Sequence, residues 1–401
     1  MTYLCEKSKC TGCMACFNKC PISAISIVDD EEGFKHPNIN KESCIKCGAC
    51  QNVCPILKRV KPYNFPKEVY ACWCKDEGIR FKSSSGGVFT VLATKILEKN
   101  GRVYGAKVEA DGRVVHFRGT CLNDLENMRG SKYVQSEIGT CFQQVKRDLE
   151  GQTPVLFTGT PCQVAGLRNY LGKDYEDLIC CDLVCHGVPS PKIFKEYLMY
   201  MEKKYKGTPQ RIWFRDKTKG WEEFCMKIQF STGMVYKEST YKDVYIRGFL
   251  RNLYLRNSCY DCIYTNVDRI SDLTIADFWG YRRDSWKARD NDKGISMCII
   301  NSKKGRSLYN EIIEGLVSHK KNIKEAVAGN TCLSKSFEKP ELREAFWNDF
   351  FELGYEYVIE KYCYPEKRNL LQRLKGSRFG IEYGYMKRWI KSFIRITNNK
   401  V

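Results

Sequence analysis

The sequence predicts two unequal parts: a small, cysteine-rich α+β unit, then a larger mixed α/β unit. Three observations carry this. One cysteine pattern occurs twice within about the first sixty residues. Beyond about residue 68, short apolar strands alternate with helical periodicity, which argues for an α/β core on a largely parallel sheet. Several of those strands end in turns bearing Gly, Pro and Cys, and ligands of such sheets sit beyond the carboxyl ends of the strands.

The doubled pattern is specific. Cys10, Cys13, Cys16 and Cys20 precede Pro21, and Cys44, Cys47, Cys50 and Cys54 precede Pro55. Each run reads C-x2-C-x2-C-x3-C-P, the thiolate spacing that wraps a cubane [4Fe–4S] cluster. Three cysteines on one tight loop grip three irons, and the fourth crosses to the other cluster. One expected set is therefore Cys10, Cys13, Cys16 and Cys54. The other is Cys44, Cys47, Cys50 and Cys20. Residues 1–60 resemble the bacterial two-cluster ferredoxins, a length compatible with one very small domain. Zinc ribbons use separated C-x2-C pairs instead. A disulfide framework needs an oxidising compartment, and no signal peptide is visible. Cys5 lies outside the repeat and reads as a spare buried thiol.

The 401 residues suffice for two or three domains with a large core. A hydrophobic share of 43% is ordinary for a globular chain. No apolar run reaches the roughly eighteen residues of a membrane span. Met1-Thr2-Tyr3-Leu4-Cys5 has no charged stretch leading into an apolar one, so a cytoplasmic location is expected. The 23 cysteines fit a reducing compartment if many are ligands. The formal charge is +19. Three thiolate-bound clusters would bring the total to roughly +13. Such a chain attracts acidic redox proteins, phosphorylated cofactors or anionic surfaces. No nucleic-acid recognition signature accompanies the charge, so no nucleic-acid partner is expected.

Along the chain, residues 24–28 and 34–39 read as a hairpin around an acidic turn, Asp29 to Gly33. Lys58 to Lys67, with Pro62 and Pro66, reads as a linker. Val69 to Cys74 reads as a strand whose Cys72 and Cys74 share one face as buried structural cysteines. Ser83 to Thr90 is a Ser/Gly-rich loop running into a helix through Leu97. Such a loop offers free N–H groups to a phosphate, or simply caps the helix. Pro154–Phe157 is a short strand leading into Thr158-Gly159-Thr160-Pro161-Cys162-Gln163. Leu178–Val184 is another, ending in Cys185-His186-Gly187. A helix from Lys192 to Lys204 follows. Cys162 and Cys185 both fall at strand ends. The lone C-x2-C of Cys259 and Cys262 fits zinc, a redox dithiol or half an iron–sulfur site; with Cys162 and Cys185 it makes four soft donors, enough for a third cluster.

At this point a family resemblance is visible. Ser84-Ser85-Gly86-Gly87-Val88-Phe89-Thr90, Gly130-Ser131-Lys132-Tyr133-Val134-Gln135-Ser136, the Cys162 and Cys185 segments, Cys259-Tyr260-Asp261-Cys262 and Asp277-Phe278-Trp279-Gly280 occur in order. They resemble the beta subunits of coenzyme F-420 hydrogenase and dehydrogenase, over roughly residues 68–345, as a 68–205 N-terminal-like and a 206–345 C-terminal-like region. Many bacterial members carry a fused N-terminal ferredoxin domain. The resemblance implies an iron–sulfur flavoprotein oxidoreductase. It implies a third [4Fe–4S] cluster on Cys162, Cys185, Cys259 and Cys262. It also implies FAD held by Ser85, Gly86, Gly87, Lys132, Tyr133 and Thr160. Lys132 would neutralise the pyrophosphate or the reduced ring.

Electrons would pass from ferredoxin-type clusters through the third cluster to FAD and an organic two-electron acceptor, or the reverse. A redox protein such as ferredoxin is the expected partner. A deazaflavin or a sugar intermediate of polysaccharide biosynthesis is the expected small molecule. The alternative is a relay subunit that docks on a partner enzyme and has no substrate of its own. His186 reads either as a proton donor near the flavin or as a histidine bonded within a turn. Arg211 to Trp221 reads as a basic aromatic loop, either an anion holder or a solvated hairpin edge. The C-terminal tail, 346–401, turns strongly basic after Pro365, with Trp389, Ile390, Phe393 and Ile394 interleaved. It reads as an amphipathic helix making peripheral membrane contact, or as a helix packed on its own domain.

Overall fold

The structure, a computed structural model, describes residues 4–281 and 292–364. In the small unit β1 (Ile25–Asp29) and β2 (Lys35–Ile39) pair antiparallel, with Ile27 opposite Pro37. The acidic turn closes when the Gly33 N–H donates to the Asp30 carbonyl and the Phe34 N–H to the Asp30 carboxylate. The cysteine runs show the repeat in their backbone. Gly12 and Met14, at φ of 67° and 58°, flank Cys13. Lys46 and Gly48, at 57° and 73°, flank Cys47. Left-handed backbone costs a non-glycine residue roughly 1–2 kcal/mol. Its recurrence at matching positions marks loops shaped around what they enclose.

The large unit contributes β3 (Glu68–Cys74), β4 (Arg102–Val108), β5 (Val114–Gly119) and β6 (Ser136–Glu137). β7 (Val155–Gly159) and β8 (Leu178–Leu183) follow. β9 (Pro209–Asp216), β10 (Cys225–Phe230) and β11 (Val235–Ser239) form a separate three-stranded sheet with β10 in the middle. β12 (Leu273–Asp277), β13 (Ser296–Ile300) and β14 (Leu316–Lys321) complete the set. The nine-stranded sheet runs β14-β3-β13-β12-β8-β7-β4-β5-β6. This is the mixed α/β class the sequence predicts. Its sheet is not largely parallel, however. Only β12-β8-β7-β4 and the β5–β6 pair run parallel, while the β14–β3, β3–β13, β13–β12 and β4–β5 pairs are antiparallel. The parallel centre is the part built from strand–helix–strand units. The helix Val88–Glu98 buries Val88, Leu92, Ala93 and Ile96 at helical spacing. Cys72 and Cys74 are buried, as their shared strand face requires.

The stretch Arg211–Trp221 departs from its solvated-edge reading. β9 is an edge strand, yet Phe214, Arg215, Lys217 and Trp221 are all buried. Lys217 donates to the carbonyls of Arg80, Ser85 and Lys293, which tie this strand end to the Ser/Gly loop.

The small unit is not tethered loosely. Cys13, Met14, Ala15 and Val53 share a hydrophobic core with Phe142, Val164 and Leu167 of the large unit. Asn18 donates to the Gly139 carbonyl and Ser190 to the Glu32 carbonyl. A Cβ on Gly166, in the helix Pro161–Leu171, would lie 2.9 Å from the Cys13 sulfur. Only glycine lets the two units approach this closely. Among the described residues no helix is long and apolar enough to cross a membrane. The expected tail, 346–401, does not begin at 346: Phe346, Trp347, Phe350, Tyr355 and Val358 lie on packed helices and belong to a hydrophobic core of the large unit, while the basic stretch from Pro365 onward lies outside the described residues.

The carboxyl end of β8 and the start of β12 are held together by a buried pair. Arg269 donates to Asp182 at 2.8 Å, and Thr274 donates to the other carboxylate oxygen at 2.6 Å. Removing one partner of such a pair strands the other charge in the interior. Asp182→Ala should therefore cost about 3–5 kcal/mol of stability. Chemical denaturation of the two proteins checks this, and a loss below about 1 kcal/mol, the range of an exposed pair, would refute it.

Candidate iron–sulfur and flavin site

Two hollows in the small unit gather the repeat cysteines in crossed sets. One, of about 350 Å³ measured out to solvent, is lined by Cys10, Cys13, Cys16 and Cys54, with Cys5 beside them. The other, of about 330 Å³, is lined by Cys20, Cys44, Cys47 and Cys50. Each fourth thiol comes from the opposite run, the arrangement expected from the spacing. Soft thiol donors, four per hollow, fit a cubane iron–sulfur core. No group of three or more His, Cys, Asp or Glu side chains among the described residues is close enough to hold a single metal ion.

The two hollows touch. Burial pushes the Cys16 thiol up to about 12, and Cys10, Cys54 and Cys50 surround it. Cys16 and Cys50 share one small apolar cluster. Cys47 is exposed, while Cys10, Cys13, Cys16, Cys50 and Cys54 are buried. Cys5 was expected to be spare, but it is part of the first hollow. It hydrogen-bonds the sulfurs of Cys10 and Cys54, and these contacts keep the proton on Cys5 while pulling Cys10 down.

A third thiol group forms beyond the sheet. Thr160 caps the helix Pro161–Leu171, and its hydroxyl lies 3.1 Å from the Cys162 sulfur. Cys185 follows the end of β8. Cys259 sits on the short helix Asn257–Tyr260, and its sulfur accepts the Val188 N–H at 3.4 Å. Burial pushes the Cys185 thiol far up, and Cys259, Cys162 and Cys262 each add to it. Burial, with Cys262, takes Cys259 to about 12. Burial, with Cys162, takes Cys262 to about 11. The four expected thiols therefore lie within electrostatic range of one another. Cys180 and Cys181, on β8, lie in the buried cores. Burial also pushes the Cys13 thiol well up, and Cys162 contributes across the seam.

Other expected site residues are occupied with the fold. Lys132 donates to the carbonyls of Asn127, Met128 and Arg129 at 2.7–3.1 Å, so its three N–H groups hold the end of the helix Leu122–Met128. Burial and the Arg129 charge pull the ammonium down to about 7. The Ser85 hydroxyl donates to the Ile295 carbonyl. Gly86 is needed for close packing, since a Cβ there would meet the Cys72 carbonyl at 2.5 Å. Gly87, at φ 91°, opens the helix Val88–Glu98 with no side-chain cap. Thr160 serves Cys162, as above. Tyr133 stacks on Phe249 at 4.8 Å. His186 bonds the Asn252 side chain at 2.6 Å through Nε2 and lies between Phe249 and Phe337. Burial lowers its pKa, which favours the neutral ring.

Two residues carry more of the site than the sequence signals. Arg215 bonds Asp277 and packs over Phe224 and Trp279, yet its Nε and Nη2 are buried without a hydrogen-bond partner. The Asp277 carboxylate also accepts the Trp221 indole N–H at 2.6 Å, and Trp221 stacks on Trp279 at 4.4 Å. Arg256 donates to the carbonyls of Cys10 and Lys35 and to the Gln135 side chain, and it contacts His36. Nothing in the spacing of either arginine announces these tasks.

Family models match the chain along most of its length. A 4Fe-4S dicluster domain matches residues 9–56. The N-terminal part of the coenzyme F420 hydrogenase/dehydrogenase beta subunit matches 69–141, and its C-terminal part matches 153–326. The class is thus an iron–sulfur electron-transfer subunit of a redox enzyme, with two [4Fe–4S] clusters in its N-terminal unit. The chain belongs to the coenzyme F420 hydrogenase/dehydrogenase beta-subunit family. Among solved structures, a xenon derivative of the F420-reducing [NiFe] hydrogenase complex from Methanosarcina barkeri is similar at 18% identity, covering 75% of this chain and 90% of that one, with a TM-score of 0.43. No curated protein gives a significant match.

Outside the three thiol groups, Cys121 is the one exposed cysteine among the described residues. In the iron-loaded protein a maleimide should modify Cys121 first, before any of the buried cysteines. Mass spectrometry of a timed reaction checks this. Early modification of Cys72, Cys181 or Cys298 would contradict the burial described.

Proposed function

We propose that the chain is an iron–sulfur flavoprotein oxidoreductase in which three thiol groups hold three [4Fe–4S] clusters. The single observation that carries the reading is their continuity. Exposed Cys47 belongs to the outer group, Cys50 adjoins Cys16, and Cys13 adjoins Cys162. Cys20, Cys44, Cys47 and Cys50 would hold the outer cluster, and Cys10, Cys13, Cys16 and Cys54 the middle one. Cys162, Cys185, Cys259 and Cys262 would hold the inner one. Bound clusters supply one-electron carriers whose potentials the protein sets by burial and hydrogen bonding.

The outer group supports docking of a one-electron redox protein. Ile22 and Ile45 are exposed at its rim, and Lys41 and Lys46 are exposed beside them. Apolar contact flanked by two lysines suits an acidic partner such as a ferredoxin.

FAD would take the space where the Ser84–Gly87 loop, Tyr133 and the end of β9 converge. The unpartnered Nε and Nη2 of Arg215 fit an anionic cofactor there, as do the N–H groups opening the helix Val88–Glu98. Arg215 and the loop backbone, rather than Lys132 and the Ser85 hydroxyl, would then carry the phosphate contact. FAD supplies the exchange between single electrons and a hydride equivalent. The organic partner belongs to the deazaflavin or sugar-intermediate class. The relay reading draws support from the same geometry, because Lys132, Ser85 and Thr160 are all spent within the fold.

Iron, sulfide and flavin assays on anaerobically purified protein test the proposal. About twelve irons and one flavin per chain are expected. Cys262→Ser should lower the iron by about four while flavin stays bound. Eight irons in the wild type would remove the third cluster. Absent flavin would leave the relay reading.

A further inference from the structure

The turn that follows Cys262 carries an unexplained group. The Tyr264 hydroxyl is buried and has no hydrogen-bond partner. A buried hydroxyl without a partner costs free energy that native proteins rarely leave unrecovered. Its surroundings are specific. The sulfurs of Cys162, Cys13, Cys262 and Cys54 all act on it at electrostatic range. Two of these belong to the inner thiol group and two to the middle one. Tyr264 follows Cys262 by two residues and its ring packs on the core that holds Cys13 and Val164 of the Cys162 helix, so the residue sits at the seam between the two groups, where Gly166 lets Cys13 approach that helix.

The residue is also held firmly. The Thr265 N–H and hydroxyl both donate to the Cys262 carbonyl. Arg269 donates to the Tyr264 carbonyl at 3.0 Å while bonding Asp182 and the Leu183 carbonyl. The ring packs on the core that contains Cys13 and Val164. A phenol fixed at both its backbone and its ring has little freedom to turn its hydroxyl elsewhere.

We propose that Tyr264 is a positioning residue that donates its hydroxyl hydrogen to a sulfur of the inner cluster, on the Cys162–Cys262 side, and so raises that cluster's reduction potential. The inference rests on the reading of Cys162, Cys185, Cys259 and Cys262 as a cluster site. The physical reason is simple. Reduction adds negative charge to the cluster, and a hydrogen bond to sulfur favours the more negative state. The proton stays on the tyrosine, and one electron enters the cluster in the reduction.

The test uses full-length, iron-loaded wild type and Tyr264→Phe, which removes one oxygen and keeps the ring. Both are titrated with dithionite and mediators under EPR. The expected result is an unchanged iron content and a lower inner-cluster potential in the variant. A change of about tenfold in the one-electron equilibrium, or about 59 mV, is expected. The outer cluster, far from Tyr264, should keep its potential. Electron-nuclear double resonance on both reduced proteins in H2O and D2O is the second measurement: an exchangeable proton coupled to the inner cluster should be present in the wild type and missing in Tyr264→Phe, while the Val188 N–H and the Thr160 hydroxyl remain in both. Full iron content with an unmoved potential, or no coupling lost in the variant, overturns the role of Tyr264. About eight irons in the wild type overturns it too, and the iron count then shows that the cluster reading failed first.

Discussion

The seam between the two units depends on one buried guanidinium. Arg256 is almost fully enclosed, and its N–H groups reach Cys10, Lys35 and Gln135 while its ring-facing side lies over Phe34. Its own N–H donates to the Val188 carbonyl, and three residues later Cys259 accepts the Val188 N–H. One side chain thus joins the loop of Cys10 to the segment that places Cys259. Hydrogen bonds to a charged group are among the stronger ones, and a desolvated arginine left without them would be costly. The small unit is consequently fixed in one orientation rather than tethered by the 58–67 segment. Arg343, which bonds the Glu32 side chain and the Leu255 carbonyl, repeats the same device at the hairpin end.

This fixation turns three separate thiol groups into one line. Burial pushes up every thiol of the inner group, and neighbouring thiols add to it at Cys185, Cys259 and Cys262. Four such thiols cannot all be ionised together in a dry site without a compensating positive core. In the proposed third cluster iron would supply that compensation, and the positive charge of Arg256 beside Cys10 and Cys162 would add to it. The strongly basic composition has a local purpose here, since bound clusters bring negative charge to the middle of the molecule.

The thiol sets were legible because thiolate spacing is chemistry written along the chain. Even the crossed grouping of Cys20 and Cys54 with the opposite run followed from the repeat. The left-handed residues flanking Cys13 and Cys47 could have been suspected only at the glycines, since Met14 and Lys46 give no sign of that conformation. Cys162 and Cys185 were placed by the rule that strand ends carry ligands. What stayed hidden involves backbone acceptors. Lys132 reads as a free cation until the carbonyls of Asn127, Met128 and Arg129 are in place around it. Arg256 and Tyr264 act through carbonyls and sulfurs brought from elsewhere in the sequence, with no local pattern. The sheet was misjudged for a related reason: alternating strands and helices reveal the parallel centre, β12-β8-β7-β4, but not the antiparallel β14, β3, β13 and β5 added around it.

The central claim is that the middle and inner clusters face each other across the seam made by Cys13 and the Cys162 helix. Spin–spin interaction between reduced clusters reports this most directly. EPR of the fully reduced protein is predicted to show broadened, split signals beyond those of the ferredoxin pair. Replacing Cys162 with serine should remove that added interaction and leave the pair's own coupling intact. A wild-type spectrum that equals the sum of an isolated ferredoxin pair and a magnetically independent third centre would contradict the account.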